Sequence, residues 1–210
     1  MKKFSFSVFN IISVFLIVMF ILFAVCPFNL IDMEQAQRIA KWKSEYEQLN
    51  YCFSLVEMHE GSIFHEDVSS ENIDYENISE KIKPYFNFSD TEIFSDKKYK
   101  YRYKNGRAVP SHSQFYFDKF NRCKDGSLIS FKKNSNYTAL NNQPVYYMFV
   151  DINGEKKPNR IGQDIFFISI FKHNISAFGH DISHGMLKTN CSPIGSGVYC
   201  SEYYLLGGRF

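Results

Sequence analysis

Apolar residues are spread unevenly along the chain, and the unevenness divides it. From Phe4 to Ile31 no charged residue occurs. A helix of that length, rising about 1.5 Å per residue, reaches about 42 Å, against roughly 30 Å of bilayer hydrocarbon. The pattern predicts a transmembrane segment over residues 1–31. Lys2 and Lys3 are the only charges ahead of it, so positive-inside bias places the N-terminus in the cytoplasm and residues from Asp32 onward outside. Cleavable secretory signals have a shorter apolar core and a small-x-small site. Phe23-Ala24-Val25-Cys26-Pro27 offers no such site, and Val25 is too bulky for lipid attachment at Cys26. The segment is expected to be retained as an anchor.

Beyond Ile31 the period changes. Ile31, Ala36, Ile39, Ala40, Tyr46, Leu49, Phe53 and Val56 recur at steps of three, four or their sums, the spacing of one helix face. This predicts an amphipathic helix over 32–61 that continues the anchor, bends at Pro27 and ends at Gly61. From Ser62 to about Lys98 the chain is polar, with one short helix expected over Ile73–Ile82. From Tyr99 onward, runs rich in aromatic and β-branched residues alternate with turn signals. The runs are Tyr99–Tyr103, Gln114–Phe120, Ser127–Lys132, Val145–Asp151 and Ile165–Phe171, punctuated by Asn105-Gly106, Asp125-Gly126 and Asn153-Gly154. Such spacing predicts an antiparallel sheet within one extracytoplasmic domain, residues 62–210. The expected class is α+β: a long bent N-terminal helix, half transmembrane and half amphipathic, packed on a small antiparallel sheet.

Composition narrows the function classes. Content of 45% hydrophobic and 18% aromatic residues argues against a disordered stalk. A net charge of +2 supplies no basic excess for neutralising phosphates, so no nucleic-acid partner is indicated. Five cysteines outside the cell are compatible with two disulfides plus Cys26 at the anchor. The other four allow three pairings, of which Cys191 with Cys200 is the most local. That bridge would close the Gly195- and Gly197-containing loop and stabilise by about 2 to 3 kcal/mol. Cys52 with Cys123, helix to sheet, rests on counting alone.

Two ends of the chain resemble one family. Ser5-Phe6-Ser7-Val8-Phe9-Asn10 resembles a degenerate type IV prepilin processing site, in which glycine precedes Phe-Thr-Leu-x-Glu, and Pro27 falls where that family's helix commonly carries a proline. The run Asp151-Ile152-Asn153-Gly154, then Pro158-Asn159 and Gly162-Gln163-Asp164-Ile165-Phe166, is similar to a stretch of pilin-like and type II secretion pseudopilin-like proteins. The closing Cys191–Cys200 pair followed by Leu205–Phe210 also resembles their tail. The resemblance covers about half the chain and implies a pilin-like scaffold in the bacterial inner membrane, partnered by other pilin-like subunits and secretion or pilus machinery. It implies processing between Ser5 and Phe6. Ser5 stands where the family has glycine, and Asn10 stands where it has a glutamate that pairs with a neighbouring subunit's N-terminus. Asparagine can hydrogen-bond but cannot neutralise that charge.

The expected function is therefore a membrane-anchored structural subunit of a type IV pilus or type II secretion-like apparatus. The alternative is an uncleaved single-pass protein that carries an extracytoplasmic binding domain on the same scaffold. Asp151, Asn153, Asn159 and Asp164 crowd oxygen-bearing side chains into one connection, and hard cations such as calcium take six to eight oxygens. Some pseudopilins that the chain resembles bind calcium in a C-terminal loop. The competing reading is that Asp and Asn bond their own backbone to shape the turn. His173, His180 and His184 form a histidine cluster without a His-Glu-x-x-His pattern, bracketed by Gly179 and Gly185, which argue for loop. Gly195-Ser196-Gly197 falls short of a nucleophile elbow. No enzyme activity is expected, and no cofactor is required beyond calcium as a candidate ligand.

Overall fold

The computed structural model describes residues 8–61, 75–86, 94–95, 99–137 and 143–209. The first helix, α1, runs from Val8 to Glu60 and is unbroken across Pro27. It ends where expected, at Gly61, whose φ of +73° suits glycine and whose N–H bonds Glu57 O. The chain divides into two units, residues 1–38 and 39–210.

In the first unit the described side chains from Ile11 to Ile21 are all exposed. Arg38 pairs with Glu34 at 3.6 Å one turn away. Among the described residues no helix is long and apolar enough to cross a membrane. Of the expected span Phe4–Ile31, residues 4–7 and the side chains of 8–10 and 22–31 lie outside the described residues. What is described is about half of the roughly 20 apolar residues that a crossing requires.

The second unit is α+β. Its strands are β1 (Phe94–Ser95), β2 (Lys119–Arg122), β3 (Leu128–Lys133), β4 (Tyr146–Asp151), β5 (Ile165–Ile170) and β6 (Ile175–Ala177). Among the described residues they form one antiparallel sheet in chain order, the simplest meander. Three short helices accompany it: α2 (Tyr75–Ile82), α3 (His184–Asn190) and α4 (Cys200–Leu205).

Alternation along each strand gives the sheet two apolar faces. Phe131, Tyr146, Met148, Val150, Phe166 and Ile168 face one core with Trp42, Leu49, Phe53 and Val56 of α1. Leu128, Phe149, Ile165 and Phe167 face a second core with Tyr99, Tyr101, Phe117 and Phe120. Helix α1 meets the sheet through a stack of Trp42 on Phe166, ring centroids 4.4 Å apart. The Trp42 indole N–H donates to Ser201 O at 2.9 Å, and Ser201 Oγ accepts from Phe167 N at 2.8 Å. One serine thus ties α4 to both α1 and β5.

The buried seam of α1 is Trp42, Glu45, Leu49, Cys52, Phe53 and Val56; of the expected face, Leu49, Phe53 and Val56 lie in it, and Ile39 and Tyr46 pack against it half-buried. Ala36 and Ala40 are exposed, because two methyl groups cannot compete with one indole for the core. The expected strands at Ser127–Lys132, Val145–Asp151 and Ile165–Phe171 correspond to β3, β4 and β5. The expected strand Tyr99–Tyr103 is irregular, and only the end of Gln114–Phe120 joins β2. Both supply rings to the second core outside any long ladder: Tyr103 N bonds Arg107 O in a turn, Arg102 N bonds Asn159 O of the β4–β5 connection, and Tyr116 N bonds Ser113 O in a turn. Tyr101 stands in for a missing ladder, donating to Phe115 O at 2.8 Å and accepting from Phe117 N at 2.7 Å. Gly185, expected in a loop, lies inside α3.

Candidate functional site

The connection between β4 and β5 carries all four oxygen-bearing residues singled out above. Asp151, the last residue of β4, is fully buried, as is Asp164 immediately before β5. Gly154 has φ +69°, and a Cβ there would lie 2.2 Å from Gly126 O, so only glycine lets the two hairpin turns touch. The Lys157–Pro158 bond is cis, and Asn159 follows at φ +47°.

The hydrogen bonds define the loop. The Tyr99 hydroxyl donates to Asp151 Oδ2 in a short bond, and Asp151 Oδ1 accepts from Asn153 N at 3.0 Å. Asp164 Oδ2 accepts from Asn159 N at 2.7 Å, and Oδ1 accepts from Arg160 N at 2.6 Å. Each carboxylate oxygen is engaged, mostly by main chain of its own loop, which is the turn-shaping role of Asp. Burial holds the Asp151 carboxyl well above the usual carboxylate range, and the neighbouring Asp164 charge adds to it. Burial likewise raises Asp164, against the bonds from Arg160 and Asn159.

Two oxygens are left over. Asn153 Oδ1 and Asn159 Oδ1 are buried and have no hydrogen-bond partner among the described residues. The side-chain donors for a cation would be these amide oxygens and two carboxylates already committed elsewhere. A calcium shell of six to eight oxygens would need the remainder from main-chain carbonyls or water. Among the described residues no group of three or more His, Cys, Asp or Glu is arranged to hold a metal.

The other expected chemistry separates. Cys191 and Cys200 form a disulfide. Cys52 and Cys123 do not pair; both are free and buried, and each sits in the helix-side core as a small hydrophobe. Burial pushes each of these thiols up to about 12. The three histidines have different neighbours: His173 Nδ1 lies 3.2 Å from Glu57, His180 Nδ1 lies 3.6 Å from Glu202, and His184 rests against the Tyr203 ring. Ser5 and Phe6 lie outside the described residues, as does the Asn10 side chain.

Two charged residues with perturbed chemistry were not singled out from the sequence. Glu45, on the buried seam of α1, lines a cavity of about 510 Å3 with Tyr51, Tyr85, Cys123 and Asp125. Burial and then the Asp125 charge raise its carboxyl to about 7. Lys41 Nζ holds Asp125 at 3.1 Å. Glu45 was detectable as the residue between Trp42 and Leu49 at helical spacing. Lys104 is 4% exposed and lies beside the disulfide; a lysine before Asn105-Gly106 reads as an ordinary turn residue. Compared with known proteins, the chain matches no family model, no curated protein and no solved structure.

Proposed function

We propose that this chain is a membrane-anchored, pilin-like structural subunit that works by assembling with similar subunits. The observation that carries the reading is the changing character of α1. From Ile11 to Ile21 its side chains are, Ser13 aside, apolar and exposed around the whole helix, a surface that requires lipid or other helices as its surroundings. From Trp42 to Val56 the same helix offers a single seam to an antiparallel sheet. Support for the pilin class comes from the residues of the resemblance, above all the Asp151–Phe166 run and the Cys191–Cys200 tail. Assembly would use the apolar part of α1, with the sheet domain setting which subunits fit.

A second reading, an uncleaved single-pass protein with a binding domain, is favoured by Ser5 and Asn10. These two residues depart from the processing and pairing positions of the family. Mass spectrometry of the N-terminus of protein extracted from native membranes separates the readings. A chain beginning at Phe6 is the expected result for a processed subunit. A chain that retains Met1 or Lys2 would overturn it and leave the anchored binding domain.

A further inference from the structure

The aromatic cover of the second core stops short of one end of the sheet. Phe115 packs on Phe167 and Phe178, with centroids 5.0 and 5.1 Å apart. Beside Phe178 a cleft of about 320 Å3 opens to the surface. It is lined by a row of three cross-strand partners, Tyr147 of β4, Ser169 of β5 and Ser176 of β6. Direct partners on antiparallel strands present their side chains on one face, so the register lines up three hydroxyls. Tyr199 adds a wall, stacked on Phe178 with centroids 5.8 Å apart and 21° between the planes. Tyr147 meets Phe178 edge-on, also at 5.8 Å.

The hydroxyls have nothing in the chain to bind. Ser169 is only 7% exposed, yet neither its hydroxyl nor those of Tyr147 and Ser176 have a hydrogen-bond partner among the described residues. Burial is the one influence that raises the Tyr147 hydroxyl above its ordinary pKa. Gln143, which also lines the cleft, has its amide oxygen buried without a partner. Buried polar groups are normally paired, so a convergent set of unpaired ones marks a place where a ligand completes the bonding. The charged residues of the lining are His180 and Asp181, both exposed, and His180 Nδ1 lies 3.6 Å from Glu202. An ionic ligand would therefore meet no buried counter-charge.

We propose that this cleft is a carbohydrate-binding site that takes one neutral pyranose ring, its C–H face on Phe178 and Tyr199 and its hydroxyls on Tyr147, Ser169 and Ser176. Serine and tyrosine hydroxyls both donate and accept, as sugar hydroxyls do, so each can pair in either sense. Because Phe178 and Tyr199 stack on each other, no slot between rings admits a flat base; they offer one apolar flank, which is what the C–H face of a sugar requires. The volume lies at the lower end of small-molecule sites, roughly 300–1,000 Å3, and suits a single ring. The site lies within residues 143–199 and requires neither the anchor nor assembly.

The test is saturation-transfer NMR on the full chain in a detergent without a sugar headgroup, because a glycoside detergent would compete for the cleft. The probes are the methyl glycosides of glucose, galactose, mannose and N-acetylglucosamine, with glucuronate and glucosamine as charged counterparts. At least one neutral glycoside is expected to take saturation, strongest at the C–H protons of one ring face, with a dissociation constant in the millimolar range for so small a ligand. Ser169→Ala and Tyr147→Phe each delete one oxygen that bonds nothing within the chain, so the fold is kept, and each should weaken binding about tenfold. Tyr51→Phe, in the cavity beside Glu45, should leave it unchanged. Absence of transfer to all four neutral glycosides, transfer to the charged sugars alone, or binding that both Ser169→Ala and Tyr147→Phe leave intact would overturn the proposal.

Discussion

The two faces of the sheet are covered by different means. On one, α1 lays a regular seam of Trp42, Leu49, Phe53 and Val56 over β3–β6. On the other, irregular chain from Tyr99 to Phe117 wraps a cluster of rings around Phe149. Antiparallel sheets commonly leave one face to water. Here the second face is closed by side chains whose main chain joins no long ladder, so the cover depends on aromatic packing and on a few hydroxyls. The lesson is that a sheet can acquire a second core without a second layer of regular structure, provided that each turn satisfies its own backbone.

The sharpest break of this comparison is Phe149→Ala. Phe149 contacts Tyr101, Phe117 and Phe120 with centroids 5.2–5.5 Å apart, so truncation should cost about 3 to 5 kcal/mol in urea unfolding. Amide exchange should accelerate over 99–117 while the α1 seam stays protected. Equal loss of protection on both faces would show that they are one cooperative core.

The helix face carries a pH dependence. Glu45 has a folded-state pKa raised to about 7, so its contribution to stability is full below about 4.5 and is lost as pH rises through about 7. Stability of the wild type should fall over that window by on the order of 2 kcal/mol, and Glu45→Gln should flatten the curve. A profile unchanged by the substitution would remove Glu45 as its source.

The smallest expected effect joins the aromatic face to the β4–β5 loop. Tyr99→Phe deletes the donor to the buried Asp151 carboxyl, at about 1 to 2 kcal/mol. That hydroxyl favours the charged form, so its loss should hurt more as pH rises and the carboxyl ionises. A cost independent of pH would mean that the ring, not the hydroxyl, does the holding.

Much of the helix-side half was legible from the chain alone. The period of α1, its stop at Gly61, the three central strands and the most local disulfide follow from spacing and turn residues, because each is a local rule acting on neighbours in sequence. On the helix face Leu49, Phe53 and Val56 are buried as their spacing implies, whereas Trp42 joins them and Ala40 does not, because the opposing Phe166 offers a ring on which an indole stacks. Asp151, Asn153, Asn159 and Asp164 were recognisable as one loop, and the tertiary fold decided that Tyr99, fifty-two positions from Asp151, completes it. The aromatic runs at Tyr99–Tyr103 and Gln114–Phe120 looked like strands because closely spaced rings suit either a ladder or a lid. Spacing favoured Cys191 with Cys200, and packing decided that Cys52 and Cys123 remain two buried thiols. Lys104 shows the same limit most plainly. Polar residues in turns face water by default, and it took the closure of the Cys191–Cys200 loop over its side chain, from almost a hundred residues away, to bury an amine against sulfur.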